Sequence, residues 1–319
     1  MPDPDAPPSD VSRHVMRLGG DFFVNASQII TTSIDSDLVT GMIFLATVRA
    51  NVRHLLEEPG LAAVYFEPGR LPPEALRRPV SVYAIARELH LPYETARRHI
   101  GKLLAAGLCV RGGDGGVVVP AEVNDREDIR AAVRTNFEAT LPFVQALADA
   151  GMTPTCGPAP GAAEKMAYLP REVVRLSSAY FLDAVELLMT NMDLQLVEGL
   201  MFLAIVRANT LHVTRDPTLA ATFSGVDEIP PDALRKTVSI SKLARELSLP
   251  YETARRHAHR LINAGICWRS PDRGLVVPAE VHAREDFKRG VVQTFAMTQA
   301  FVNDLAAAGL VVAPFRPWP

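Results

Sequence analysis

Two stretches of this sequence are identical, and both carry groups able to read the edge of a base pair. Leu91–His99 and Leu249–His257 each spell LPYETARRH. On a helix advancing about 100° per residue, Glu94, Arg97, Arg98, Gly101 and Ala105 share one face. Ala96, Ile100, Leu103 and Leu104 share the other. The first face offers two guanidinium groups, a carboxylate and small residues. Arginine pairs bidentately with guanine O6 and N7, glutamate accepts from cytosine N4, and small residues let a helix approach a groove closely. Thr95 lies on the flank, where a hydroxyl suits a phosphate or a thymine methyl, and Tyr93 lies nearer the core edge. Lys102 and Arg111, with Arg87, are expected to hold phosphates rather than read bases. The same reasoning marks Tyr251, Glu252, Thr253, Arg255, Arg256, Arg260 and Arg269. An Arg-Arg pair on an exposed helix is most often a solvated face; its repetition with the whole outward face intact favours the binding reading.

Other reactive residues point to structure. His99 and His257 lie one position past the arginines, towards the core, and no partner at metal-ligand spacing accompanies them. Cys109 and Cys267 are equivalent and expected in the core, whereas a redox sensor needs an exposed, electropositive thiol. His54 and His212 recur beside Arg49/Arg207 and Asn51/Asn209, a polar cluster on an apolar helix that suits interfacial hydrogen bonding or a small-molecule pocket. No nucleophile elbow, phosphate loop, zinc-protease or dinucleotide fingerprint occurs. The expectation is therefore a non-enzyme without cofactor or metal.

The repeat that carries these residues extends much further. Shifting the chain by 158 residues aligns its halves without a gap, with 28 identities over residues 80–123. FLATVRAN at 44–51 pairs with FLAIVRAN at 202–209, and VVPAEV recurs at 118–123 and 276–281. Each unit has the size of a whole domain, unlike a solenoid repeat. The division expected is a disordered N-terminus (1–11), unit 1 (12–151), a Pro/Gly/Ala-rich linker (152–169), unit 2 (170–309) and a Pro-rich tail (310–319).

Within a unit, helices are expected at 12–32 and 35–57, followed by an irregular 59–79 with a short turn at PPEALR. Ser81 caps a helix over 82–89. A tight turn at His90-Leu91 leads to a helix opening at Pro92 and closing at Gly107. Strands at 108–111 and 117–119 flank GGDGG, a hairpin turn. An amphipathic helix over 126–150 ends the unit, with Ile129, Val133, Phe137, Leu141, Val144 and Leu147 on one side.

The segment AIARELHLPYETARRHIGKLLAAGLCVRGGDGGVVVP resembles the winged helix-turn-helix of bacterial transcription regulators. It is most similar to the IclR type, with the MarR and GntR types as near relatives. Leu-Pro opens the recognition helix, Thr follows, and Ala-Gly-Leu precedes the wing. Residues 84–120 and 242–278 carry the resemblance; the flanking helices do not resemble an IclR effector domain. It implies a mainly α fold with small β-hairpin wings, two tandem winged helix-turn-helix units with flanking helices. It also implies double-stranded DNA as partner. Similar half-sites follow, inverted if the halves pack about a two-fold and direct if they are related by translation. The second wing reads SPDRG and brings Arg273 to its tip, so stronger backbone contact is expected there.

Composition limits the alternatives. The net charge is −3 with a pI of about 6.3, which excludes indiscriminate coating of nucleic acid but leaves room for a local basic patch. Three cysteines without CxxC spacing give no disulfide framework and suit a reducing cytoplasm. The best membrane candidate, 38–48, is too short to span, and MPDPDAPPSD lacks the features of a signal peptide. A tandem winged-helix interaction scaffold of the chromosome-organising type is the competing function. A homodimer and a small-molecule effector are further partners the sequence leaves open.

Overall fold

The computed structural model describes residues 10–58, 72–162 and 169–310. The described part of the chain is mainly helical, with twelve helices and two two-stranded antiparallel hairpins. The first half comprises α1 (Ser12–Ser33), α2 (Leu38–Glu57), α3 (Val82–Glu88), α4 (Tyr93–Ala105), β1 (Val110–Arg111), β2 (Val117–Val118) and α5 (Glu127–Asp149). The second comprises α6 (Leu169–Met192), α7 (Leu196–Arg215), α8 (Pro217–Thr222), α9 (Ile240–Glu246), α10 (Tyr251–Asn263), β3 (Trp268–Arg269), β4 (Leu275–Val276), α11 (Ala279–His282) and α12 (Glu285–Ala307). Of the segments read as loose, residues 1–9, 59–71, 163–168 and 311–319 lie outside the described residues.

Local signals set most boundaries. Ser81 Oγ accepts from Ala84 N to open α3, and Ser239 does the same for α9. Gly107 and Gly265 adopt φ of 67° and 65°, and the amides that follow return to Leu103 and Leu261 to close α4 and α10. Two expectations need correction. Helix α2 begins at Leu38 rather than residue 35, because Asp35 takes φ of 44° and Asp37 Oδ1 caps Thr40 N at 3.0 Å. The paired strands are two residues each, shorter than expected, but Val80 and Val238 add a bridge on the far side of β2 and β4. Helix α8, capped by Asp216 and opened by Pro217, was not foreseen.

The halves share one continuous apolar core. Helix α1 packs along α5 and also across onto α7 and α12, while α6 packs along α12 and across onto α5. Phe22 stacks on Phe143 at 4.5 Å, and their counterparts Tyr180 and Phe301 stack at 4.6 Å. Between the pairs, Phe143 meets Phe301 and Phe22 meets Tyr180. Equivalent residues touching one another is the signature of an approximate two-fold relation between the copies.

The first part of the linker is ordered against the second half. Thr155 N donates to Asn303 Oδ1 at 2.9 Å, Ala159 N donates to Ala307 O at 3.0 Å, and Met152 and Ala162 are buried. Helix α7 is long and apolar enough, by length and composition, to cross a bilayer, which corrects the expectation of no such run; 72% of its apolar stretch is buried inside the fold.

Candidate nucleic-acid interface

The outward face of α4 matches the helical projection. Glu94, Arg97, Arg98, Gly101 and Ala105 are exposed, and Ala96, Ile100 and Leu103 are buried. Helix α10 repeats this with Glu252, Arg255 and Arg256 exposed above Ala254, Ala258 and Leu261. Thr95 and Thr253 are half-buried flanking positions. Tyr93 and Tyr251 depart from the expected core edge, with 47% and 49% of their surface exposed at the start of each helix. The helices begin one residue after the prolines, so these tyrosines occupy the first helical position, where no preceding turn covers them.

The polar groups on this face are partly committed to one another. Arg97 pairs with Glu94 and Arg255 with Glu252, each at 2.8 Å across one helical turn. Such exposed pairs are worth a few tenths of a kcal/mol and exchange readily for a stronger partner. Arg98 and Arg256 have no ion pair among the described residues.

Each helix is fixed at its inner side by a buried histidine. His99 Nδ1 lies 2.7 Å from Thr40 Oγ1 and 3.4 Å from Asp37 Oδ1, at the start of α2. In the second copy Glu198 stands at the position of Thr40, and His257 Nδ1 lies 3.3 Å from its Oε1. Burial pulls both imidazoles below their ordinary value, with Asp37 and Glu198 opposing. Lys102, expected to hold phosphate, bonds to Asp37 Oδ2 at 2.6 Å while half exposed. Arg260 likewise reaches Gln195 Oε1 at 3.1 Å and Glu198 Oε1 at 3.2 Å. Burial would raise Asp37, but Lys102 and Thr40 hold it below the usual carboxylate value.

The hairpins sit beside these helices. Exposed Arg111 donates from Nη1 to Gly115 O at 3.0 Å, and Arg269 is exposed on β3. In the second hairpin, Arg273 occupies the tip with φ of 65°, where Gly115 has φ of 80°. Asp272 accepts from Gly274 N, Ser270 and Thr237, which lower its pKa in an order led by Ser270. Cys109 and Cys267 are buried, and burial pushes both thiols up to about 12.

The polar cluster on the long helices, read from the sequence as interfacial hydrogen bonding or a small-molecule pocket, takes two distinct structural roles. Asn51, fully buried on α2, donates from Nδ2 to Arg78 O and Val117 O and accepts at Oδ1 from Val119 N. Asn209 makes the equivalent bonds to Lys236 O, Leu275 O and Val277 N. Each hairpin is thereby locked to its long helix. Arg49 bridges Glu88 at the end of α3 at 2.6 Å and Asp183 of the other copy; Arg207 bridges Glu246 at 3.9 Å and Asp21 at 2.6 Å. The only sequence signal for either role was recurrence in FLATVRAN and FLAIVRAN. His54 and His212, from the same polar cluster, each bury an Nδ1 without a partner. Among the described residues, no group of three or more His, Cys, Asp or Glu side chains could hold a metal ion. No family model, curated protein or solved structure matches this chain.

Proposed function

We propose that this protein is a sequence-reading, double-stranded DNA-binding transcription regulator built from two fused winged helix-turn-helix units. The observation that carries this reading is the retention of one outward face on two helices. Glu94, Arg97 and Arg98 on α4 and Glu252, Arg255 and Arg256 on α10 are all exposed, above equivalent buried faces. In this reading α4 and α10 are recognition helices and the hairpins are wings. Arg97, Arg98, Arg255 and Arg256 read bases, and Tyr93, Thr95, Tyr251 and Thr253 bear on base methyls or backbone. Lys102, Arg111 and Arg260 meet phosphates after exchanging their internal partners, and Arg269 and Arg273 meet them directly. The contact between equivalent aromatic residues at the seam favours inverted half-sites over direct ones. Function is non-enzymatic and cytoplasmic on this account.

Selection of the full chain on random duplex DNA tests the proposal. Enrichment of paired inverted half-sites is expected, and its loss in the Arg97→Ala/Arg98→Ala/Arg255→Ala/Arg256→Ala variant. A folded wild-type protein that enriches nothing at moderate salt would overturn it.

A second reading, a protein-docking scaffold, is favoured by one observation. Tyr93, Val110, Tyr251 and Trp268 leave 42–49% of their surface exposed around the same two helices. Aromatic residues of this kind anchor protein interfaces. Binding of a partner protein that persists in the four-arginine variant would support that use.

A further inference from the structure

A cavity of about 70 Å³ lies between α1 of the first copy and α6, α7 and α12 of the second. Phe23, Leu188, Phe202, Val206 and Phe287 supply much of its wall. Gly20 also lines it, and a Cβ placed there would meet nothing within 4 Å, so the space beside the helix backbone is empty. An engineered apolar cavity of about 150 Å³ takes benzene, so this one suits about three or four non-hydrogen atoms.

One polar side chain in the wall is conspicuously incomplete. Arg17 is 94% buried, given its 6% exposure, and lines the cavity. Its Nη1 donates to Phe223 O at 2.6 Å, and its Nη2 lies 3.4 Å from Ala220 O and 3.3 Å from His14 Nδ1. Its Nε–H is buried with no acceptor, and no carboxylate pairs with it among the described residues. Burial and the neighbouring Arg13 together drop its pKa to about 10, a mark of uncompensated positive charge. Arg207, the other cation in the wall, is already neutralised by Asp21 and Glu246. Asp286 is the acidic lining residue; it is half-buried and its Oδ1 accepts from Phe287 N. An unpaired buried donor costs free energy that an anionic acceptor recovers.

We propose that this cavity is a binding site for a carboxylate of one or two carbons, formate or acetate, its oxygen accepting from Arg17 Nε and the acetate methyl group filling the space beside Gly20. The site is single. At the other seam Ser178 stands where Gly20 does and Ala132 where Gly290 does, adding side-chain atoms to the equivalent walls. The occupant touches both copies, and Arg207 in the same wall connects α1 to the end of α9 through Asp21 and Glu246. A regulatory consequence follows if the DNA-binding reading holds: filling the cavity changes how α10 is held against α4, and so the fit to paired half-sites.

Calorimetric titration of the full chain with acetate, without DNA, tests the site. A saturable isotherm of one site per chain is expected, with acetamide weaker by about tenfold or more for want of charge. Formate is expected to bind and butyrate, too large for the space, to give no saturable heat. Gly20→Val, which fills the space, is expected to abolish the heat while its thermal midpoint stays at or above wild type; Gly20→Ala, smaller and safer for folding, is expected to weaken binding. No saturable heat from folded protein, equal binding of acetamide, or unchanged binding by both Gly20 variants would each overturn the proposal. A second arm separates the two readings. Acetate is expected to change affinity for the selected duplex more than matched chloride does, and Gly20→Val to remove that difference. A normal acetate isotherm with no effect on DNA would leave the site standing and refute its regulatory consequence.

Discussion

Arg273 holds a backbone conformation that glycine holds in the first copy. Its φ of 65° places an L side chain in the left-handed region, which costs about 1–2 kcal/mol. On the DNA-binding reading, a phosphate contact from this side chain offsets that cost. Arg273→Gly is therefore expected to raise the thermal midpoint, by stabilisation of about 1 kcal/mol. On the DNA-binding reading, it also lowers the slope of log affinity against log salt by about one. Arg273→Ala is expected to reduce the slope without the gain in stability. Salt titrations of both variants check this, and an unchanged slope removes Arg273 from the interface. At this scale much was legible in the sequence. The outward arginines, the capping serines and the closing glycines obey rules spanning three or four residues, so they could be placed without knowing the fold. Arg17 could not, because its value depends on Phe223 and Ala220, some two hundred residues away.

Between elements, close approaches decide which substitutions are tolerated. Gly41, in the first turn of α2, lies against α1, where a Cβ would overlap Ile30 Cγ2. The equivalent Gly199 would bring its Cβ 3.4 Å from Met189 Cγ, an ordinary contact. Gly41→Ala is expected to destabilise by about 1–3 kcal/mol through overpacking. Gly199→Ala should be neutral or gain up to about 1 kcal/mol from helix propensity. Paired chemical denaturation curves distinguish the two; equal effects would mean the two corners are alike. The asparagines give a second test. Asn51→Ala leaves the Val119 amide and the Arg78 carbonyl without this partner, at about 1–3 kcal/mol for each group left unsatisfied, while Val117 O keeps its bond from Val80 N. Loss of amide protection confined to β1 and β2 is the expected signature in hydrogen exchange. Uniform loss over the whole chain would show instead that the hairpin is no separate unit of stability. The sequence could not announce this link, since an asparagine on an apolar helix looks the same whether it holds a hairpin, a ligand or a neighbouring subunit.

For the molecule as a whole, acidity acts through the joint between the copies. Arg13 Nη1 faces His282 Nδ1 at 3.5 Å, and Arg235 Nη1 faces Nε2 at 3.2 Å, so the imidazole lies between two guanidinium groups. Burial first, then Arg235 and Arg13, push His282 well below the ordinary imidazole value. His14 is depressed to about 4 by burial and by Arg17. Both histidines are neutral in the fold and take up a proton near pH 6.5 when unfolded. Their contribution to stability is therefore complete above about pH 6.5 and is lost as pH falls towards the depressed folded values, by up to about 1.4 kcal/mol per pH unit for each group. Asn124 occupies the position of His282 in the first copy. His282→Asn is accordingly expected to flatten the fall of the thermal midpoint between pH 7 and pH 5; a fall as steep as wild type would rule His282 out. The tandem organisation was plain from the repeat, but not the sharing of one core, because a repeat records likeness between copies and not which copy each apolar face will meet.

That shared core also sets a timetable for synthesis. Helix α1 is made well before the surfaces it covers on α7 and α12 leave the ribosome. Until then Phe22, Phe23 and Phe143 have no Tyr180, Phe181 or Phe301 to meet. At roughly 5–20 residues per second, the nascent first half waits on the order of ten seconds or more with its seam uncovered. In that interval the nearest surface of the right shape is the seam of another nascent chain, so the fusion that joins the copies also competes with their exchange between neighbours on one message.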